Sequence, residues 1–166
     1  MTSSIINVNY ALSQKLGHLL RDKGLTLALA ESCTGGGLAE DITAVDGCSA
    51  WFDRCFVTYS NQAKIDCLNV KPSTIQQYGA VSAETAKEMV AGVLEQSRCD
   101  LALSITGIAG PTGGSAERPV GLVWFGLGLR NQPIEARVAQ FTSGRKNIRR
   151  AAAEFALQWL LEASAR

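Results

Sequence analysis

The chain has 166 residues, 46% hydrophobic and 19% charged, so it can bury one ordinary core and is too apolar to remain disordered. Sixteen Lys and Arg against fifteen Asp and Glu leave a formal net charge of +1, which gives no electrostatic case for nucleic acid as the main partner. No apolar run approaches the roughly 18 residues of a membrane span, and MTSSIINVNYALSQ lacks the basic, apolar and cleavage-site succession of a secretory leader, so a cytosolic protein is expected.

A first helix is predicted from about Tyr10 to Lys23, with Leu12, Leu16, Leu19 and Leu20 as its apolar stripe and Gly24 as its C-cap. His18, the single histidine, falls largely off that stripe and reads as a solvated surface residue. A Ser–His–Asp triad, a Cys–His pair or a histidine metal site would all depend on this one side chain. Any hydrolytic base is therefore expected to be something else.

Leu25 to Ala30 suits a short strand buried on both faces, and it runs directly into Glu31, Ser32, Cys33, Thr34 and three glycines. Leu38, Ala39 and Ile42 beyond them mark a helix over about Gly35–Thr43. Such a strand–turn–helix junction lies where open α/β sheets place ligands, and free helix N–H groups there favour negative charge. Ser32 could serve as a nucleophile at this point; read in isolation, a serine there is far more often a helix cap. Cys33 is the one cysteine whose position invites a reactive reading, since a helix N-terminus favours thiolate. Cys48, Cys55, Cys67 and Cys99 form no C-x-x-C pair and read mostly as small buried hydrophobes.

After a turn at Val45–Ser49, Ala50 to Ser60 is a second strand whose better β-formers are Cys55 to Tyr59. Asn61 is expected to cap the short helix NQAKIDCL, which puts Lys64 in a first turn, where a cation opposes the helix dipole. Lys71–Pro72–Ser73 opens another short helix ending at Gly79, and Ser82 caps a longer one over about Ala83–Gln96. Asp100 to Ile105 is a third buried strand running into TGIAGPTGGS. That loop fits neither the phosphate-loop pattern nor G-x-G-x-x-G opening a helix. It reads either as an anion-binding nest of backbone N–H groups or as a plain connection.

Gly121 to Leu129 is a fourth strand, turned at Arg130–Pro133, and Glu135 to Phe141 a fifth, more exposed one. The last helix covers about Arg145–Ala163. Arg145, Lys146, Arg149 and Arg150 crowd its positive end, which makes sense if an anion binds there and otherwise describes a solvated basic face. There is no internal repeat or convincing linker. The expected architecture is one α/β domain over residues 1–166, three layers α/β/α around a mostly parallel or mixed sheet.

The strings AESCTGG at Ala30–Gly36, FVTYSNQAK at Phe56–Lys64, GAVSAET at Gly79–Thr85, SITGIAGPTGGS at Ser104–Ser115, RPVGLVWF at Arg118–Phe125 and GRKNIRR at Gly144–Arg150 resemble the C-terminal domain of the competence-damage-inducible CinA family. The likeness spans nearly the whole chain in order, and the length resembles the stand-alone amidase version of that domain. The resemblance implies hydrolysis of the carboxamide of nicotinamide mononucleotide (NMN) without cofactor or metal, in a homodimer or larger assembly. It implies Ser32, Lys64 and Tyr59 as catalytic residues, and Glu31, Cys33, Thr34, Gly35, Thr106, Gly107 and Arg145 at the substrate. Two departures stand out: Cys55 where glycine is common, and Ser143–Gly144 in place of Gly-Asp. With no histidine to use, Lys64 is the base such a mechanism would need, its pKa drawn down toward about 7–8. Backbone N–H groups at Thr34–Gly35 are the candidates for holding the oxyanion. The alternatives are Cys33 as nucleophile, and a nucleotide-binding or interaction domain without turnover.

Overall fold

The computed structural model describes residues 7–166; the first six residues of the N-terminal stretch read above for a leader lie outside them. Helix α1 (Val8–Lys23) ends at Gly24, whose left-handed backbone (φ 65°) closes the last turn. Strand β1 (Leu27–Glu31) leads to α2 (Gly37–Thr43), then a 3₁₀ turn at Cys48–Ala50 and strand β2 (Phe52–Val57). Helices α3 (Asn61–Leu68), α4 (Pro72–Tyr78) and α5 (Ala83–Gln96) precede β3 (Leu101–Gly107). Strands β4 (Leu122–Leu129) and β5 (Glu135–Gln140) and helix α6 (Arg145–Ala165) complete the chain.

The five strands form one sheet in the order β2-β1-β3-β4-β5. β1 runs parallel to β2 and β3, whereas β3–β4 and β4–β5 are antiparallel, so the sheet is mixed. Both halves of the expected layering are present. Leu27, Leu29, Leu101, Leu103 and Ile105 face a core shared with α1, α2 and α6, and each buried leucine contributes roughly 1.5–3 kcal/mol. Ala28, Ala30 and Ala102 point the other way, toward Met89, Val90 and Val93 of α5. That face is built for close approach: a Cβ on Gly126 would stand 2.6 Å from the Ala86 carbonyl oxygen, and the Ser104 hydroxyl donates to that same oxygen at 2.7 Å.

The second strand is shorter than Ala50–Ser60, because Trp51 turns inward and is 1% exposed beside Gly17. The cysteines also differ from expectation: only Cys33 and Cys99 are buried, Cys48 and Cys55 are half-buried, and Cys67 is exposed, all as free thiols. His18 lies on the exposed side of α1. Among the described residues no helix is long and apolar enough to cross a membrane.

Parallel pairing sends the carboxyl ends of β1, β2 and β3 to one edge of the molecule. The chain leaves β1 toward α2 on one face, and leaves β2 toward α3, α4 and α5 on the other. A crevice opens between β1 and β3 where those connections diverge, the general ligand position of open α/β sheets.

Candidate active site

Ser32 is the first residue beyond β1. Its N–H donates to the Ile105 carbonyl at 3.0 Å, while the Thr58 N–H donates to the Glu31 carbonyl at 2.9 Å. The sheet thus continues one rung past its strands and holds Ser32 between the ends of β3 and β2. Lys64 comes up from α3, whose cap is Ser60 rather than Asn61: the Ser60 hydroxyl accepts from the Ala63 N–H, which is donor three positions on. The Lys64 ammonium group donates to Ser32 Oγ at 3.0 Å and to the Thr58 carbonyl at 2.8 Å. Lys64 is 1% exposed. Burial pulls its pKa down from 10.5 to about 8, against a smaller opposing effect of the nearby Cys33. No cation contributes to that fall; removal from water is the cause.

The remaining predicted residues divide between the cleft and its supports. A cleft of about 240 Å³ is lined by Ser32, Cys33, Tyr59, Gly107, Arg145 and the loop Ile108–Gly113. Arg145 spans its mouth, donating through Nη1 to the Gly110 carbonyl at 2.8 Å and through Nη2 to the Tyr59 hydroxyl at 2.8 Å. Tyr59 is therefore paired with Arg145 and not with Lys64, and it is 57% exposed. Among the described residues the N–H groups of Ala109, Gly110, Thr112 and Gly113 donate to no acceptor in the chain. Those residues line the same cleft as Arg145, which favours the anion-nest reading of the loop over a plain connection.

The side chains of Glu31, Thr34 and Thr106 do not line the cleft. The Glu31 carboxylate is fully buried and accepts from the N–H groups of Gly36 (3.0 Å), Leu38 (3.2 Å) and Ala39 (2.8 Å). It satisfies the free end of α2 from within the chain, so those N–H groups are not open to a substrate anion. The Cys55 thiol donates to the same carboxylate at 3.5 Å. Thr34 is 1% exposed and borders a separate cleft with Lys146, Arg149 and Arg150. Thr106 is equally buried and donates to the Ala80 carbonyl at 2.8 Å, tying the end of β3 to the loop before α5. Gly107 borders the cleft; a Cβ there would come within 2.7 Å of Val123.

Two further expectations change. Gly35 N–H is occupied by the Ser32 carbonyl at 3.0 Å, which leaves Thr34 N–H as the unengaged donor of that pair. Cys33 lines the cleft, but burial pushes its thiol up to about 11, so the helix end does not make it a thiolate. Sequence reasoning missed the Thr58 carbonyl as the second acceptor for Lys64. Nothing in composition or periodicity marks a main-chain oxygen.

Among the described residues no three His, Cys, Asp or Glu side chains gather as a metal site would require. A three-layer α/β domain with a buried serine–lysine contact at the carboxyl end of its central strands is the class these features define. The chain belongs to the CinA C-terminal domain family, whose model matches residues 9–164. It is 50% identical over 152 residues to nicotinamide-nucleotide amidohydrolase PncC of Enterobacter agglomerans, covering 92% of this chain and 93% of that one. Similarity to the protein of the same name in Escherichia coli K12 is 48% over 149 residues, 90% of each chain. The crystal structure of competence/damage inducible protein CihA from Agrobacterium tumefaciens matches with a TM-score of 0.92 at 41% identity, over 100% of both chains.

Proposed function

We propose that this protein hydrolyses the carboxamide of NMN to nicotinate mononucleotide and ammonia, with Ser32 as nucleophile and Lys64 as base. The observation that carries the reading is the 3.0 Å contact between Lys64 Nζ and Ser32 Oγ, made by a lysine that burial brings to a pKa of about 8. The two amidohydrolases at 50% and 48% identity support the choice of substrate.

In this mechanism the neutral Lys64 amine gives one N–H to the Thr58 carbonyl, which turns its lone pair toward Ser32. Ser32 Oγ attacks the carboxamide carbon as its proton passes to Lys64. The carbonyl oxygen becomes an oxyanion, held by the Thr34 N–H; one such donor is worth about 3 kcal/mol in the transition state. The C–N bond then breaks, with Lys64 protonating the departing ammonia. A water molecule deprotonated by the same amine cleaves the ester, returning that proton to Ser32 and freeing the acid, which loses its remaining proton to solvent as the carboxylate. Arg145 exchanges its Tyr59 contact for the nucleotide phosphate, and the free N–H groups of the glycine-rich loop complete the anion site. The reaction takes place in the cytosol, in keeping with five free cysteines. Assembly as a homodimer or larger oligomer rests on the family likeness alone.

The test is ammonia release from NMN by wild type, Ser32→Ala and Cys33→Ala, without added metal. Release by wild type and Cys33→Ala but not by Ser32→Ala is the expected pattern. Turnover that survives in Ser32→Ala and vanishes in Cys33→Ala would transfer the nucleophile to the thiol. No release by folded wild type, with NMN still bound in calorimetry, would make this a binding domain.

A further inference from the structure

Behind the Ser32 turn, on the side away from the cleft, lies a side chain that the proposed chemistry does not use. Arg149 sits one helical turn after Arg145, so both face the same end of the sheet. Their tasks differ. Arg145 borders the cleft, whereas the Arg149 guanidinium donates through Nε to the Cys33 carbonyl at 3.1 Å and through Nη2 to the Thr34 carbonyl at 2.8 Å. These are the two carbonyls that immediately follow Ser32.

A trans peptide group is planar, and its C=O points opposite to the next residue's N–H. A donor that fixes the Cys33 carbonyl therefore fixes the Thr34 N–H, aimed away from Arg149. One that fixes the Thr34 carbonyl orients the Gly35 N–H, and that group is found donating to the Ser32 carbonyl. Among the described residues the Thr34 N–H reaches no acceptor in the chain. The turn thus presents one spent and one free donor; the guanidinium alone holds the Cys33 carbonyl, whose plane carries the free Thr34 N–H, and shares the Thr34 carbonyl with the Gly37 N–H at 3.0 Å.

We propose that Arg149 is a positioning residue for catalysis: its two-pronged hold on the Cys33 and Thr34 carbonyls keeps the Thr34 N–H aimed as the oxyanion donor beside Ser32. The proposal rests on the amidase reading above. It accounts for two features of the sequence. The guanidinium offers two donors in one rigid plane, which a lysine cannot do. Gly35 has φ 59°, and a Cβ there would stand 3.3 Å from Arg149 Nη2, so the glycine leaves both the backbone and the space that the guanidinium needs. It also divides the basic cluster of α6, since Arg149 is committed to main-chain oxygens and is not part of the phosphate site.

The experiment is steady-state ammonia release from NMN by wild type, Arg149→Met and Arg149→Lys, with thermal unfolding of each. The expected result is a kcat about 100-fold lower in Arg149→Met, the cost of one misaimed oxyanion donor, with KM within about threefold of wild type. Arg149→Lys, able to hold one carbonyl at a time, should recover only part of that loss. A kcat in Arg149→Met within about threefold of wild type, or a loss carried wholly by KM, overturns the proposal. Should Arg149→Met fail to fold, Arg149→Lys decides by the same kcat-against-KM criterion. Wild type that releases no ammonia removes the amidase reading and this one together; wild-type turnover with a silent Arg149→Met removes this one alone.

Discussion

Lys64 is kept from water by the packing of α3 against the sheet, and its two hydrogen-bond partners are a hydroxyl and a carbonyl rather than an anion. An ammonium in that position is disfavoured, which lowers the folded-state pKa below the unfolded value. Between about 8 and 10.5 the unfolded chain holds a proton on Lys64 that the folded chain has lost. Stability should therefore rise with pH across this window, since the unfolded state binds more protons there. The full effect of a shift from 10.5 to about 8 would be on the order of 3 kcal/mol, an upper bound. Urea unfolding at pH 7.5 and pH 10 should show that rise in wild type relative to Lys64→Met, which lacks the group. Parallel curves for the two proteins would contradict it. The lysine itself was legible in the sequence, as a cation misplaced in a first turn. Its position beside Ser32 came only through the family resemblance, because 32 positions and a parallel strand crossing separate the two and no local pattern joins them.

At the scale of elements, the strand–turn–helix junction was readable from a buried run that ends in small residues and glycines. What holds the junction was not. Glu31 stands in the sequence like an ordinary turn carboxylate, yet it is fully buried and gathers three N–H groups of α2's first turn and the turn before it. The reason it escapes a sequence reading is geometric: a strand residue caps a helix only when the turn folds back over it. Glu31→Gln replaces one accepting oxygen by a donor that would face those N–H groups. It should lower unfolding free energy by about 1–3 kcal/mol and reduce turnover through the displaced Ser32. Urea titration measures the first; a variant as stable as wild type would show that the carboxylate is not what fastens α2. The boundaries of β2 failed for a related reason. Trp51 and its neighbours are apolar enough for a strand, but Trp51 is drawn into the core against Gly17 of α1.

For the molecule as a whole, the layers follow from a simple alternation: leucines of β1 and β3 on one face, alanines on the other. That pattern, with the five strands and six α-helices of the described residues in the expected order, made the architecture accessible from the chain alone. The cleft is a different matter. It joins the ends of β1, β2 and β3 to the start of α6, and its mouth is spanned by a contact between Tyr59 and Arg145, 86 residues apart. No local pattern encodes such a meeting; only the sheet order does. If Arg145 takes the phosphate, Arg145→Ala should raise KM for NMN roughly 10- to 100-fold while changing kcat little, as for loss of one charged hydrogen bond. A variant with unchanged KM would move the phosphate elsewhere in the cleft.

The measurement that bears most directly on the serine–lysine reading is kcat/KM for ammonia release from NMN between pH 7 and 9.5. The second phosphate ionisation, near about 6, lies below that range. Because kcat/KM reports the free enzyme, its pH dependence follows the protonation of the base before substrate binds. With Lys64 as the base, the rate should rise about tenfold per pH unit at first and level off above a pKa of about 8. A profile already flat at pH 7, or one that falls across this range, would contradict a neutral lysine as the base for Ser32.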